Sequence, residues 1–167
     1  MRLLIIRHAI AEDRETFAQT GQDDSLRPLT AEGRRKMLRA AGALVSLVPS
    51  LDAILTSPFV RAADTAAIVA GAYGGMATQT VDALVPDASP NALPPVLRSA
   101  VGDSVVAVVG HEPHLSTVAA WLLTGKAGEF ITLKKGGACL MEFDGAARAG
   151  AGALLWLLTP SQLRGLA

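Results

Sequence analysis

Apolar residues in this chain come in short, dense runs separated by longer polar stretches. Leu3–Ile6 is four apolar residues in a row, cut off at once by Arg7-His8. Asp52–Thr56 holds a second run, and Ser104–Val109, the strongest, is followed directly by Gly110-His111. Unbroken runs of this length predict strands buried on both faces, as in a sheet covered by helices on each side. Between the runs the spacing changes to threes and fours. Leu38, Ala41, Leu44, Val45 and Val48 predict a helix that starts after Thr30 as N-cap, carries Glu32 near its positive end, and stops at Pro49. Ser57-Pro58 predicts the N-cap and first position of a helix running through Val60, Ala63, Ala67, Ile68 and Ala70 to about Gly71. Pro94-Pro95 starts another reaching roughly Val101, and Glu112-Pro113 opens one that turns Leu115, Val118, Ala119, Leu122 and Leu123 inward.

The remaining pattern is weaker. Thr78–Leu84 reads as a short edge strand, and Gly136–Phe143 with Ala153–Leu158 as two closing strands joined by a turn-rich link. From Ala9 to Pro28 the chain is polar and irregular, which in a compact fold marks a functional or mobile segment. Strands alternating with helices predict an α/β layered sheet, with room for an antiparallel hairpin at the end. At 167 residues, with no repeat and no linker, residues 1–167 are expected to form a single domain.

Composition narrows this picture. Half the residues are hydrophobic but only 4% are aromatic, so Ala, Val, Leu and Ile must fill the core. Fifteen basic and fifteen acidic side chains cancel, so neither nucleic acid nor a membrane surface is an expected partner, and any bound anion must be gripped by a local cluster. The lone Cys139 excludes an internal disulfide and a cysteine-rich zinc site, and its neighbours offer nothing to activate a thiolate. The apolar start is too short for a signal peptide and the later runs are too short to cross a bilayer, which predicts a soluble cytoplasmic protein. His111-Glu112-Pro113-His114 has i, i+3 histidines without a third ligand, so no metal or other cofactor is expected, and His114 reads as a surface or helix-capping residue. Lys134-Lys135 reads as a solvated turn, and Trp121 and Trp156 as core.

Three reactive elements fall at equivalent places in this plan. Arg7-His8 and Gly110-His111 follow strands, and Arg61 lies in the first turn of the helix after the second strand. Ligands of open α/β sheets bind beyond the carboxyl ends of the strands, so these residues should converge there. Guanidinium forks match phosphoryl oxygens and keep their charge, a neutral imidazole can attack phosphorus and hold it covalently, and a second histidine can donate to an oxygen as charge shifts. Phosphoryl transfer through a histidine is the chemistry this set suits.

The strings around these residues are more specific than the residues alone. Leu3-Leu4-Ile5-Ile6-Arg7-His8-Ala9 resembles the first signature of the histidine phosphatase superfamily, the phosphoglycerate mutase-like proteins, which usually have Gly where this chain has Ala9. Ser57-Pro58-Phe59-Val60-Arg61-Ala62-Ala63-Asp64-Thr65-Ala66 resembles the second signature, and Val108-Val109-Gly110-His111 the third. Leu26-Arg27-Pro28-Leu29-Thr30-Ala31-Glu32-Gly33 is similar to a segment of the SixA-type phosphohistidine phosphatases, as is the short chain. The resemblance implies a three-layer α/β/α sandwich with a mostly parallel central sheet, compact and without large insertions. It implies His8 as a transiently phosphorylated nucleophile, Arg7 and Arg61 on the phosphoryl oxygens, His111 completing the pocket, and Arg27 as a further contact or merely a surface charge at a helix entry. Two departures stand out. Ala9 could narrow the pocket, and Glu112 would bring a carboxylate close to the anion.

The general acid is the least defined role. Asp24 is the candidate that the Leu26–Thr30 segment favours, and Asp82 is one that lies between the second and third signatures, with Asp23 and Asp87 nearby. A phosphohistidine substrate relaxes the need, because its leaving imidazole can already carry a proton. The expected function is hydrolysis of phosphohistidine on a signalling or phosphotransfer protein. Only fifty positions separate Arg61 from His111, too few for the lid that larger members insert. The alternatives are a phosphomonoesterase for a small phosphorylated metabolite and a non-catalytic phosphate-binding module.

Overall fold

The computed structural model describes residues 1–98, 100, 102–128 and 130–167. Its strands are β1 (Arg2–Arg7), β2 (Ala53–Thr56), β3 (Thr78–Thr80), β4 (Val105–Gly110), β5 (Ala138–Phe143) and β6 (Gly152–Leu158). They form one sheet in the order β3-β2-β4-β1-β5-β6. β3, β2, β4 and β1 run parallel, β5 is antiparallel to β1, and β6 is antiparallel to β5. The sheet is mostly parallel, as expected, and closes on the expected hairpin.

The helices are α1 (Arg14–Ala18), α2 (Ala31–Leu47), α3 (Val60–Ala72), α4 (Leu93–Val96), α5 (His114–Thr124) and α6 (Pro160–Gly165). Successive side chains on a strand point to opposite faces, so β1 feeds two cores. Leu4 and Ile6 pack with α2, α3 and α6 through Met37, Leu44, Ala66 and Leu163. Leu3 and Ile5 pack with α4 and α5 through Leu93, Leu115 and Leu122. The result is the three-layer α/β/α arrangement. Among the described residues no helix is long and apolar enough to cross a membrane.

Several expectations change at the level of elements. α2 starts where Thr30 predicted, its hydroxyl accepting from the Gly33 amide at 2.9 Å, but it is rotated. Leu38 is 60% exposed while Met37, Ala40, Ala41 and Leu44 are buried. α3 buries Arg61, Ala62, Thr65, Ala66, Val69 and Ala70, leaving Val60 and Ala63 half-buried and Ala67 outside. Both helices are rich in alanine, whose small side chain fits either face, so the pattern admits more than one phase. The N-cap of α3 is Phe59, not Ser57; the Ser57 hydroxyl meets His111 at 2.9 Å and accepts from the Phe59 amide at 3.3 Å, too early to cap the helix. The polar stretch after Ala9 is not wholly irregular. Asp13 caps α1, accepting from the Thr16 amide at 2.9 Å, and Asp24–Leu26 form a 3-10 turn. Only Thr78–Thr80 of the expected edge strand is extended, and Asp82–Leu84 turn as 3-10 helix. The helix at Pro94 is the short α4, and its expected end at Val101 lies outside the described residues. α6, begun by a Thr159–Gln162 capping box, was not anticipated.

β6 is an outer strand, pairing only with β5 among the named strands. Leu154, Leu155 and Leu157 on it are 40%, 47% and 38% exposed, and the β5–β6 register slips between Leu140 and Met141.

Candidate active site

The register of the two central strands builds the site. Arg7 on β1 lies opposite Gly110 on β4, so Arg7-His8 and Gly110-His111 leave the sheet side by side. The His8 amide donates to the Gly110 carbonyl at 3.0 Å, and the two imidazole centroids are 5.1 Å apart. Turning α3 as described brings Arg61 to the same place. A pocket of about 310 Å³ results, with Arg7, His8, Arg27, Arg61 and His111 among its walls. These residues, separated by up to 104 positions between Arg7 and His111, lie together.

His8 is the most sharply defined of them. Its Nδ1 is 2.7 Å from the Ala9 carbonyl, which can only accept, so the proton sits on Nδ1 and Nε2 keeps its lone pair. Burial lowers its pKa to about 3; the Ala9 carbonyl pushes up, and the charges of Arg61, Arg7 and Lys135 push down. The ring is therefore neutral. His111 is also lowered to about 3, first by burial and then by His8 and Arg61. Its Nε2 meets the Ser57 hydroxyl at 2.9 Å, which leaves Nδ1 buried with no partner. Phe59 stands edge-on to His111 with centroids 5.1 Å apart, and the Arg61 guanidinium carbon lies 4.9 Å from its ring centroid.

The arginines are held by chain atoms. Arg7 donates through Nη1 to the Leu133 carbonyl at 2.7 Å. Arg61 donates through Nη1 to the Asp24 carbonyl at 2.7 Å, and its Nη2 lies 3.0 Å from the Asp24 carboxylate. Burial lowers the pKa of both, with neighbouring carboxylates opposing, yet neither approaches neutrality because guanidinium starts so high. Arg27 is not a surface charge. It is 7% exposed, donating to Asp24 at 2.8 Å and to the Glu12 carbonyl at 2.8 Å.

Asp24 faces the pocket as a carboxylate. Burial pushes its pKa up, but the hydrogen bond from Arg27 and the charges of Arg61, Arg27 and Arg14 hold it below the ordinary range. Asp82 is exposed on its 3-10 turn and is not among the pocket walls. Asp23 caps the neighbouring turn and Asp87 is exposed. The Glu112 carboxylate does reach the pocket, but it accepts from the Ser116 hydroxyl at 2.6 Å and the Leu133 amide at 2.9 Å, tying α5 to the segment that holds Arg7. Ala9 is not among the walls of this pocket; it lines a neighbouring hollow, and its amide donates to the Thr65 hydroxyl at 3.0 Å.

His114 corrects its sequence reading. It is 3% exposed, neither capping a helix nor on the surface, with both ring nitrogens unpartnered and its pKa lowered mainly by burial. Cys139 is buried, its thiol pushed up to about 12 by desolvation. Among the described residues no cluster of three or more His, Cys, Asp or Glu could hold a metal ion. Sequence reasoning missed Ser57 and Thr65 as pocket supports, although both stand in the Ser57–Ala66 string. It also missed Lys135, which reaches into the pocket from what looked like a solvated turn.

Known proteins resemble this chain in sequence and in fold. The model of the histidine phosphatase superfamily (branch 1) matches residues 3–85. An uncharacterized protein of Picosynechococcus sp. is 37% identical over 150 residues, spanning 89% of this chain and 88% of its own. Among solved structures, the protein histidine phosphatase SixA complexed with tungstate superposes with a TM-score of 0.81 at 23% identity, over 98% of this chain and 99% of that one. A phosphoserine phosphatase mutant from Entamoeba histolytica, in complex with phosphoserine, gives 0.70 at 16% identity, over 97% and 98%. A mycobacterial glucosyl-3-phosphoglycerate phosphatase gives 0.70 at 15% identity, over 92% and 96%. The structural likenesses carry the fold.

Proposed function

The chain belongs to the histidine phosphatase superfamily, a phosphatase by that membership, and from this premise we propose that its substrate is phosphohistidine displayed on another protein. The observation that carries the reading is the state of Asp24. A phosphatase acting on alkyl esters needs a protonated acid beside the leaving oxygen, and positioned proton transfer contributes roughly 100- to 10,000-fold. Asp24 is the pocket carboxylate the sequence favoured for that role, and it is held ionised between Arg27 and Arg61. A phosphoryl group leaving from imidazole does not ask for the acid, since that nitrogen can arrive protonated. The scarcity of apolar walls points the same way: Pro86 is the apolar residue lining the pocket, so little is offered to grip the body of a small metabolite.

In this mechanism Nε2 of His8 attacks phosphorus while Arg7 and Arg61 hold the phosphoryl oxygens. Nδ1 of His111 donates to one of them once the Ser57 hydroxyl donates to Nε2. The P–N bond to the substrate breaks and neutral imidazole departs with the proton it brought. Water then attacks the phosphoryl group on His8, releasing inorganic phosphate and one proton to solvent and restoring the free ring. Arg27 backs Asp24 and adds positive potential.

The test compares a phosphohistidine peptide, p-nitrophenyl phosphate and phosphoserine under one set of conditions. The phosphohistidine peptide is expected to lead in kcat/KM, with phosphoserine lower by about 100-fold or more. Comparable rates on phosphoserine would refute the reading. His8→Ala should abolish turnover of all three while leaving the circular dichroism spectrum unchanged.

A further inference from the structure

We propose that a basic hollow beside the catalytic pocket is a docking site for an acidic segment flanking the phosphorylated residue of the partner protein. This rests on the phosphohistidine reading and adds the chemistry of the partner to it.

The hollow has a volume of about 100 Å³ and lies between α2, the turn after β1 and the start of α6. Ala9, Met37, Ala40 and Pro160 contribute apolar walls, and Lys36, Lys135 and Arg164 bring three cations. Lys135 also lines the catalytic pocket, where its charge helps lower the pKa of His8, so the two spaces share a wall. A chain whose phosphoryl group sits at His8 therefore needs only a few residues to reach the hollow.

The charge around it is one-sided in a molecule of zero net charge. α2 carries Arg34, Arg35, Lys36 and Arg39 against the single acid Glu32. Arg34 is turned away to pair with Asp64. Glu32 pairs with Lys36 and feels Arg35 and Arg164 as well, so one carboxylate is shared by several cations. Arg39 reaches across to the Arg164 carbonyl at 3.4 Å, adding its charge to that side. Arg61 is held by Asp24 and Arg7 by the Leu133 carbonyl, not by any cation of this rim, so the excess is not needed to hold the pocket together. A positive rim over a small apolar floor is complementary to a segment of Asp and Glu with an apolar side chain between them.

Three peptides with the same central phosphohistidine, flanked by acidic, neutral or basic residues, decide the matter. At low salt the acidic peptide should exceed the neutral one about tenfold in kcat/KM, with a further fall for the basic one, and the preference should shrink as salt is added. The double variant Lys36→Glu with Arg164→Glu should lose the preference while keeping turnover of p-nitrophenyl phosphate. Equal rates on the three peptides, or an equal loss on peptides and ester in the double variant, would overturn the docking site. If no phosphohistidine peptide is turned over while the ester is, the substrate reading fails instead. The hollow is then judged with the acidic peptide in unphosphorylated, fluorescein-labelled form. Anisotropy should show it binding the wild type more tightly than the double variant, and equal binding would overturn the proposal.

Discussion

At the scale of single residues, the chemistry of the pocket depends on where protons are held. The Ala9 carbonyl fixes the tautomer of His8, and burial keeps the rings of His8 and His111 neutral and lowers the pKa of His114. These are the three histidines of the chain. Ring-carbon NMR between pH 8 and pH 5 should therefore show no titration step for His8 or His111 near the ordinary value of about 6.5, and a midpoint there for either would contradict the burial argument. Asp24 makes the opposite statement about charge, since its carboxylate occupies Arg27 and Arg61, the second of which is proposed to hold the phosphoryl group. Asp24→Asn should release Nη2 of Arg61 from the carboxylate, so inorganic phosphate should inhibit about five- to tenfold more tightly, on the order of one partly exposed ion pair. An unchanged inhibition constant would mean that the carboxylate yields at no cost.

At the scale of elements, Gly33 is the residue whose absence of a side chain matters most. A Cβ there would run into the Ile10 carbonyl, which also accepts from the Thr30 amide at 3.0 Å. The N-terminus of α2 is thus seated on the turn that follows β1 and carries Ala9. Gly33→Ala should push the two apart, costing about 2 kcal/mol or more in urea denaturation and lowering turnover as well. A variant of wild-type stability would show that the turn moves freely. Much of this architecture was legible in the sequence. Continuous apolar runs announced β1 and β4, Thr30 announced the start of α2, and Arg7, His8, Arg61 and His111 fell at strand or helix ends that a parallel sheet brings together. The phases of α2 and α3 were not legible, because alanine satisfies a buried and an exposed face alike. Nor was the engagement of Arg27 with Asp24 and Glu12, which depends on how a polar loop folds back. The burial of His114 gave no signal, since an imidazole within an apolar helix reads the same inside or out.

At the scale of the whole molecule, the buried histidines link stability to acidity. Their pKa values are lowered in the folded state, so the unfolded chain takes up protons first as pH falls below about 6.5. Stability should be complete above that value and decline below it, by up to about 1.4 kcal/mol per pH unit for each histidine. Urea midpoints at pH 7 and pH 5 would reveal this as a lower midpoint at pH 5, and equal midpoints would contradict it. The arrangement of the sheet separates that vulnerability from another. β6 presents an outer rim of backbone amides and carbonyls over seven residues without charge or proline, broken only by the register slip beside Leu155. Since β5 stands between that rim and β1, molecules that begin to cluster in concentrated solution should do so flank to flank, with their pockets still open to solvent. Turbidity would then rise before enzymatic activity is lost.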